Sequence, residues 1–498
     1  MRGKIKKVVN KAVQIIGSRY FFWFIIALFV FQAVWIALSF RYSMMYDEYY
    51  HFGLIEYFSH QWLPWINNQS VNLDQYSALA RSPYLFYHYL LSFPFRIVAL
   101  FTSDFYTQVI STRFINIGLF VGGLVVFAKL FKAMKIQPIF RNVALLFLVL
   151  LPVTPFVAAT VSYDNAIFLL TAIFMFVGIR IIQSPKIQWH DYVLIVLIGM
   201  AGSLMKIAFL PIFAAGFIYV FIHLFINHRK KIKYNFIQSF IASSLWLKLL
   251  LIISTVIVGF FFIERFGVNI IQYHSLEPSC AVQIGAERCR SNYVELRSGD
   301  LKKARTGVPA QAPQYTLTWI STMESGLLIT GANTKGKYGT EMGQPLPIIS
   351  VVVSIGAIVS LATFFYSFDK LRKLSGFWMM MSISILYVGV LFYKNFSDYY
   401  TYYQAIAIQG RYLLPLLPVI MVFLVLGINY TMKKRLRLKL VTLIVVLVFY
   451  MNGAGIITHI IRSRNAWYWD NQTVYQVNNE AKNLLNPFVK EYWYEKEK

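Results

Sequence analysis

The chain has 498 residues, of which 58% are hydrophobic and 14% charged, and a net charge of +26. Soluble domains are about 45–50% apolar and about 25% charged, so a soluble fold, a disordered chain and a charged coiled coil are excluded. Only two cysteines are present, which excludes a disulfide scaffold. An all-α polytopic membrane protein is what the composition leaves.

In chain order, a basic segment at 1–20 precedes the first apolar run, 21–40. That start imitates a signal peptide, but the run exceeds the usual 7–15 residues or so and no small-residue cleavage site follows. An uncleaved first helix is expected. Further runs approach the roughly 20 residues that span a bilayer. They lie at 114–133, 142–159, 166–183, 191–204, 206–227, 242–263, 346–366, 375–393, 411–431 and 440–461. The length rule thus gives about 11 transmembrane helices. Segment 84–101 is interrupted by His88, Pro94 and Arg96, and is expected to lie at the interface as an aromatic-rich helix.

The basic excess orients the chain. Lys and Arg concentrate at 1–20, 129–141, 180–191, 228–233, 367–373 and 432–439, each beside a hydrophobic run. That is the positive-inside pattern of a cell membrane protein with a cytoplasmic N-terminus. A nucleic-acid face would need these clusters joined on one surface, so no nucleic-acid partner is expected. The chain then divides into a module at 21–263 carrying outer loop 41–112, an extracytoplasmic loop 264–345, helices within 346–461, and an extracytoplasmic tail 462–498. Cys280 and Cys289 both fall in the second outer loop. An oxidising compartment favours a disulfide there, the alternative being two unpaired thiols.

No assigned span interior contains Asp or Glu, which argues against a proton-driven carrier. The acids sit at outer membrane edges. In RYSMMYDEYYHF, Asp47 and Glu48 are adjacent and followed by His51. One carboxylate can act as a general base while its neighbour orients it or holds a metal; the plainer alternative is a polar helix start. Asp164 in VSYDNA is either an N-cap or a second acid facing Asp47, sharing a divalent cation such as Mg or Mn. Lys206, Arg113 and Arg411 are the outer cations, able to snorkel to headgroups or to clamp a phosphate. Tyr46, Tyr49, Trp62 and Trp65 are candidates to stack on sugar faces, although interfacial aromatics are by default belt residues. An anionic substrate with its tail in the membrane fits, such as a polyprenyl-phosphate-linked sugar.

DEYYHFGLIEYFSHQWLP (47–64) resembles the Asp-Glu to His-Phe opening of a family of predicted bacterial membrane proteins of unknown function. QGRYLLPLLP (409–418) resembles that family's second hallmark, and adds Gln409 and Tyr412 to His51 and Arg411 as candidate substrate contacts. More widely, the pattern over about 21–426 is similar to the GT-C superfamily of membrane glycosyltransferases. Acids after the first helix, interfacial helices in the first outer loop and outer basic residues recur there. The resemblance implies inverting transfer from a lipid-phosphate sugar to an envelope glycan, glycolipid or protein. It makes Asp47 the base or metal ligand, Glu48 its partner, Asp164 the second acid, and Lys206 and Arg113 the donor-phosphate contacts. The phosphate role of Arg411 follows from its chemistry alone. The chain departs from the pattern in having Tyr before Asp47 where Pro is usual, and in Asp164 standing outside an Asp-x-Asp. Two rival functions need no base: a flippase or exporter of lipid-linked glycans, and a non-catalytic scaffold.

Overall fold

Long apolar stretches with few charges satisfy their backbone internally as helices, the one open-chain solution for a membrane span. A computed structural model describes residues 10–64, 69–228, 232–290, 292–305, 311–329, 332–335, 339–342, 347–432, 455–485 and 487. Apart from a two-stranded ribbon pairing 332–335 with 339–342, the regular elements among them are helical.

The first helix, α1 (Arg19–Ser39), is capped by Ser18, whose hydroxyl accepts from the Phe21 amide. There follow α2 (Glu48–Ser59), α3 (Phe86–Phe101), α4 (Phe105–Ala133), α5 (Pro138–Leu150), α6 (Val153–Ala158), α7 (Tyr163–Gln183), α8 (Trp189–Met205), α9 (Leu210–His228) and α10 (Leu245–Phe262). The second half adds α11 (Ala312–Leu327), α12 (Pro347–Tyr366), α13 (Phe377–Tyr402), α14 (Leu417–Thr431) and α15 (Gln472–Leu485).

Six helical stretches are long and apolar enough to cross a membrane: Arg19–Ser39, Phe105–Ala133, Tyr163–Gln183, Ile207–Asn227, Leu245–Tyr273 and Phe377–Tyr402. Four more of the expected spans form shorter apolar helices, at Pro138–Leu150, Trp189–Met205, Val353–Tyr366 and Leu417–Thr431. The last, 440–461, lies largely outside the described residues, as do 1–9, Trp65 and the end of the tail. Run 142–159 differs from expectation in being two helices. Pro152 has no amide hydrogen to continue the ladder, and α5 ends at Leu150. The interrupted segment 84–101 is the helix α3, with Pro94 inside it.

The helix ends sort into two groups. At one end, Asn142 Nδ2 donates to the carbonyls of Ile16 and Ser18, Gln183 Nε2 to Ala133 O, and Arg180 pairs with Asp191 at 3.0 Å. These contacts gather three of the segments in which the basic residues concentrate, 1–20, 129–141 and 180–191. At the other end the chain leaves α1 at Phe40, which bridges Tyr468 near the C-terminus. Asn478 of α15 locks that junction, accepting from Trp35 Nε1 at 3.0 Å and donating to Ser39 Oγ at 3.1 Å. The segments between α2 and α3 and after α10 also meet there. Cys280 and Cys289 are joined in a disulfide, and beside it Arg288 pairs with Asp74 at 2.6 Å while Gln283 Oε1 accepts from the Arg81 amide.

One close backbone approach seats the 409–413 turn. Gly326 of α11 and Gly410 face each other, and a Cβ on Gly410 would overlap the Leu327 amide nitrogen and the Met323 carbonyl oxygen. Backbone atoms have no rotamer by which to yield. Gly410→Ala is therefore expected to cost about 1–3 kcal/mol and to lower the thermal unfolding temperature in detergent. Gly389→Ala, which meets nothing within 4 Å, should leave it unchanged.

Candidate functional site

The turn between α1 and α2 sets the site. Tyr46 and Asp47 both take positive φ, 72° and 64°, a conformation uncommon for non-glycine residues and informative where it occurs. It turns the adjacent acids in opposite directions. Glu48 goes inward: Arg113 Nε donates to its Oε1 at 2.8 Å and Nη2 to its Oε2 at 2.7 Å, and the Met44 amide adds a third bond at 2.7 Å. Arg113 spends its other donors on the Ala37 and Phe40 carbonyls at the end of α1, and Trp469 lies over its guanidinium at 5.4 Å. Both side chains are fully buried.

This corrects two expectations. Arg113 has no donor directed at a substrate phosphate, because Glu48 and the α1 carbonyls take them; Glu48 is correspondingly an anchor without access to a reacting group. The physical reason is desolvation, which a buried carboxylate tolerates only when paired and hydrogen-bonded.

Asp47 goes outward, and the remaining expected residues converge on it. Arg411 Nη2 lies 3.3 Å from Asp47 Oδ2, with Asp47 66% and Arg411 1% exposed in their side chains. Arg411 Nη1 lies 3.2 Å from Asp164 Oδ2, and Lys206 Nζ donates to Asp164 Oδ1 at 2.6 Å. Four residues remote in sequence thus form one alternating chain of charge, Asp47–Arg411–Asp164–Lys206. Gln409 Oε1 accepts from Arg411 Nε at 2.6 Å, while the Tyr46 ring packs on the Arg411 guanidinium at 4.3 Å. Lys206 Nζ sits over the rings of Tyr163 and Tyr412 at 4.5 and 4.7 Å. Local structure explains each placement. Lys206 ends α8 where the chain turns sharply into α9. Asp164 lies in the first turn of α7, and Ser162, not Asp164, is the cap, accepting from the Asp164 amide.

Asp47 and Asp164, the pair expected to hold a divalent cation, already face Arg411, and Asp164 has Lys206 on its other oxygen. A dication between them would meet two fixed positive charges at contact distance, so these residues do not fit it. Among the described residues, one trio has metal-ligand spacing, Cys280, Cys289 and Glu295, and its sulfurs are spent in the disulfide.

Of the aromatic candidates, Tyr46 is buried under Arg411, Tyr49 is half exposed, and Trp62 is exposed with the Arg96 guanidinium 4.6 Å over its ring. His51 is buried and hydrogen-bonded to His88 of α3. Burial, then the Arg411 charge, holds His51 down at about 3, and burial holds His88 well below the usual imidazole range. His88, Tyr163 and Trp469 were not anticipated as parts of the site. His88 was visible only as a polar interruption of an apolar run, and nothing in the sequence marks Trp469.

The fold and this cluster define a class, a polytopic helical membrane protein with a buried charge relay opening at one end of its bundle. Comparison with protein-family models, with curated proteins and with solved structures finds no match.

Two stability predictions follow from the geometry. Arg113→Ala strands the buried Glu48 carboxylate and should cost about 3–5 kcal/mol, whereas Asp47→Asn should leave thermal unfolding nearly unchanged. Because His51 is held neutral, the unfolded chain binds more protons than the folded one below pH 6.5. Stability should therefore fall as pH drops from 6.5 toward 3, and the slope measured by denaturation should flatten in His51→Phe.

Proposed function

We propose that this protein is a GT-C-type glycosyltransferase that moves a sugar from a polyprenyl-phosphate donor to an extracytoplasmic hydroxyl acceptor on an envelope glycan, glycolipid or protein. The observation that carries this proposal is the asymmetry of the charge chain. Asp47 alone of its four members presents an open carboxylate, and it does so beside the buried cation Arg411. A base and a fixed anion clamp at one spot are what displacement at an anomeric carbon next to a phosphate requires.

In the proposed step, Asp47 takes the proton of the acceptor hydroxyl as its oxygen attacks the anomeric carbon. The bond from that carbon to the phosphate oxygen breaks on the opposite face, and its electron pair leaves on the polyprenyl phosphate. Arg411, seated on Tyr46 and braced by Gln409, and Lys206, held between Tyr163 and Tyr412, balance the developing charge. The proton on Asp47 returns to water, and the configuration at the sugar is inverted. No step calls on a metal. With eleven spans and the basic segments cytoplasmic, this end of the bundle and the C-terminal tail face outward across the cytoplasmic membrane, among its lipids.

Purified protein in liposomes, given labelled sugar on undecaprenyl phosphate, should transfer label into envelope acceptor. Asp47→Asn should slow transfer by about 10²–10⁴ without loss of fold, and chelation by EDTA should leave the rate unchanged. Full activity of Asp47→Asn would remove the proposed base. Transbilayer movement of the intact donor that survives Asp47→Ala and fails in Arg411→Ala would instead mark an exporter.

A further inference from the structure

Two buried ring nitrogens beside this cluster lack a well-formed hydrogen bond among the described residues. His51 Nδ1 lies 2.8 Å from His88 Nε2, and the rings stack with 16° between their planes and 5.1 Å between centroids. Both residues are buried, and His51 Nε2 and His88 Nδ1 are left over. Buried polar atoms are satisfied in the great majority of cases, so an orphan at a site needs a reason.

The two orphans differ chemically. The Leu85 carbonyl, one turn before His88 on α3, favours a proton on that ring, and with Nε2 turned to His51 the nitrogen left to carry it is Nδ1. His88 Nε2 is then the acceptor, and His51 Nδ1 carries the shared hydrogen. That leaves His51 Nε2 as a bare lone pair. Since both rings are held neutral by burial, the lone pair persists at ordinary pH.

Its position ties it to the site. His51 stands one turn after the Asp47 cap, its amide donating to the Asp47 carbonyl at 2.9 Å. The ring packs edge-on against Tyr163 at 4.4 Å and feels the charges of Arg411, Asp164 and Lys206. A lone pair needs a donor. An ionised phosphodiester brings only acceptors, and the acceptor substrate's hydroxyl proton goes to Asp47. The donor left over is a hydroxyl of the sugar itself.

We infer that His51 Nε2 accepts a hydrogen bond from a hydroxyl of the transferred sugar, with His88 as the positioning residue that fixes its tautomer. This rests on the proposed transfer reaction and adds a residue that reads the sugar. A site built to pair a substrate hydroxyl discriminates strongly against a ligand that lacks it.

Binding separates this from the rest of the site. Protein in nanodiscs is titrated calorimetrically with undecaprenyl phosphate and with the same lipid carrying glucose, galactose or mannose. At least one sugar-bearing lipid should bind wild type more tightly than the bare lipid. His51→Phe should cut that advantage about tenfold and leave the bare lipid's affinity unchanged. His51→Phe/His88→Phe, which leaves neither ring unpaired, should do the same. A sugar advantage that survives both variants, or one absent from wild type, overturns the role of His51 while leaving the phosphate site standing. Loss of bare-lipid affinity as well reduces the pair to a structural role and also overturns it. Wild type that binds none of these lipids overturns the transfer reaction and this inference together. If neither variant folds, the nitrogen resonance of His51 Nε2 in wild type decides. It should move to the shift of a hydrogen-bonded acceptor when the sugar lipid is added, and an unmoved signal overturns the inference.

Discussion

The buried pair of Glu48 and Arg113 is the contact on which the site depends. Arg113 comes from the first half of α4 and plugs the last carbonyls of α1, where the helix macrodipole favours a cation. Glu48 answers it from the first turn of α2 and also takes the Met44 amide, with Val161 at 3.3 Å. One ion pair therefore fastens two spanning helices, the turn between α1 and α2, and the entry to α7. Such a pair is weak evidence of net stability, since desolvation offsets much of its attraction. Its value here is geometric. With Glu48 fixed inward, Asp47 has nowhere to go but out.

The four-residue charge chain solves a second problem, that of keeping ions in a bundle that is otherwise apolar. Two acids and two cations alternate, so the cluster is neutral as a unit and each buried member has an opposite charge beside it. In the proposed transfer an arriving phosphate brings a further negative charge, and something must yield. Asp164 is clamped from both sides and buried, whereas Asp47 meets one long contact and is mostly solvated. The partner that gives way to an anion at Arg411 is therefore Asp47, and in giving way it becomes a freer base. The proposed reaction would thereby couple donor binding and readiness of the base through a single guanidinium.

Much of this was legible in the sequence, and the exceptions have physical causes. Runs of apolar residues marked the helices, because a period-free apolar stretch of that length has few other uses. The acids and cations at outer edges were found because charge is so sparse there. The sequence could not say which of Asp47 and Glu48 was structural, since adjacent residues are equivalent until the backbone turns, and the turn is made by positive φ at Tyr46 and Asp47. Arg113 was misassigned for the same reason. A cation at a membrane edge looks alike whether it meets a ligand or a carboxylate 65 residues away in the chain. The break at Pro152 was readable in principle but masked by the apolar residues on either side. His88 became meaningful only when α3 folded over α2 and brought it onto His51.

The outer loops complete the constraint from the opposite side of α2. Tyr76 of the first loop lies flat against Gly53, where any side chain would overlap its ring, so α2 is held between this aromatic and the Glu48 anchor. The stretch carrying Tyr76 is itself braced by the second loop. Arg288 beside the disulfide binds Asp74, and Arg81 joins Glu264 and Asn269 at the end of the helical stretch that continues α10. Those contacts span as many as 214 positions of sequence, which gives the disulfide-bearing segment a structural purpose. It presses the first loop onto α2, the helix that carries His51 and that Asp47 caps.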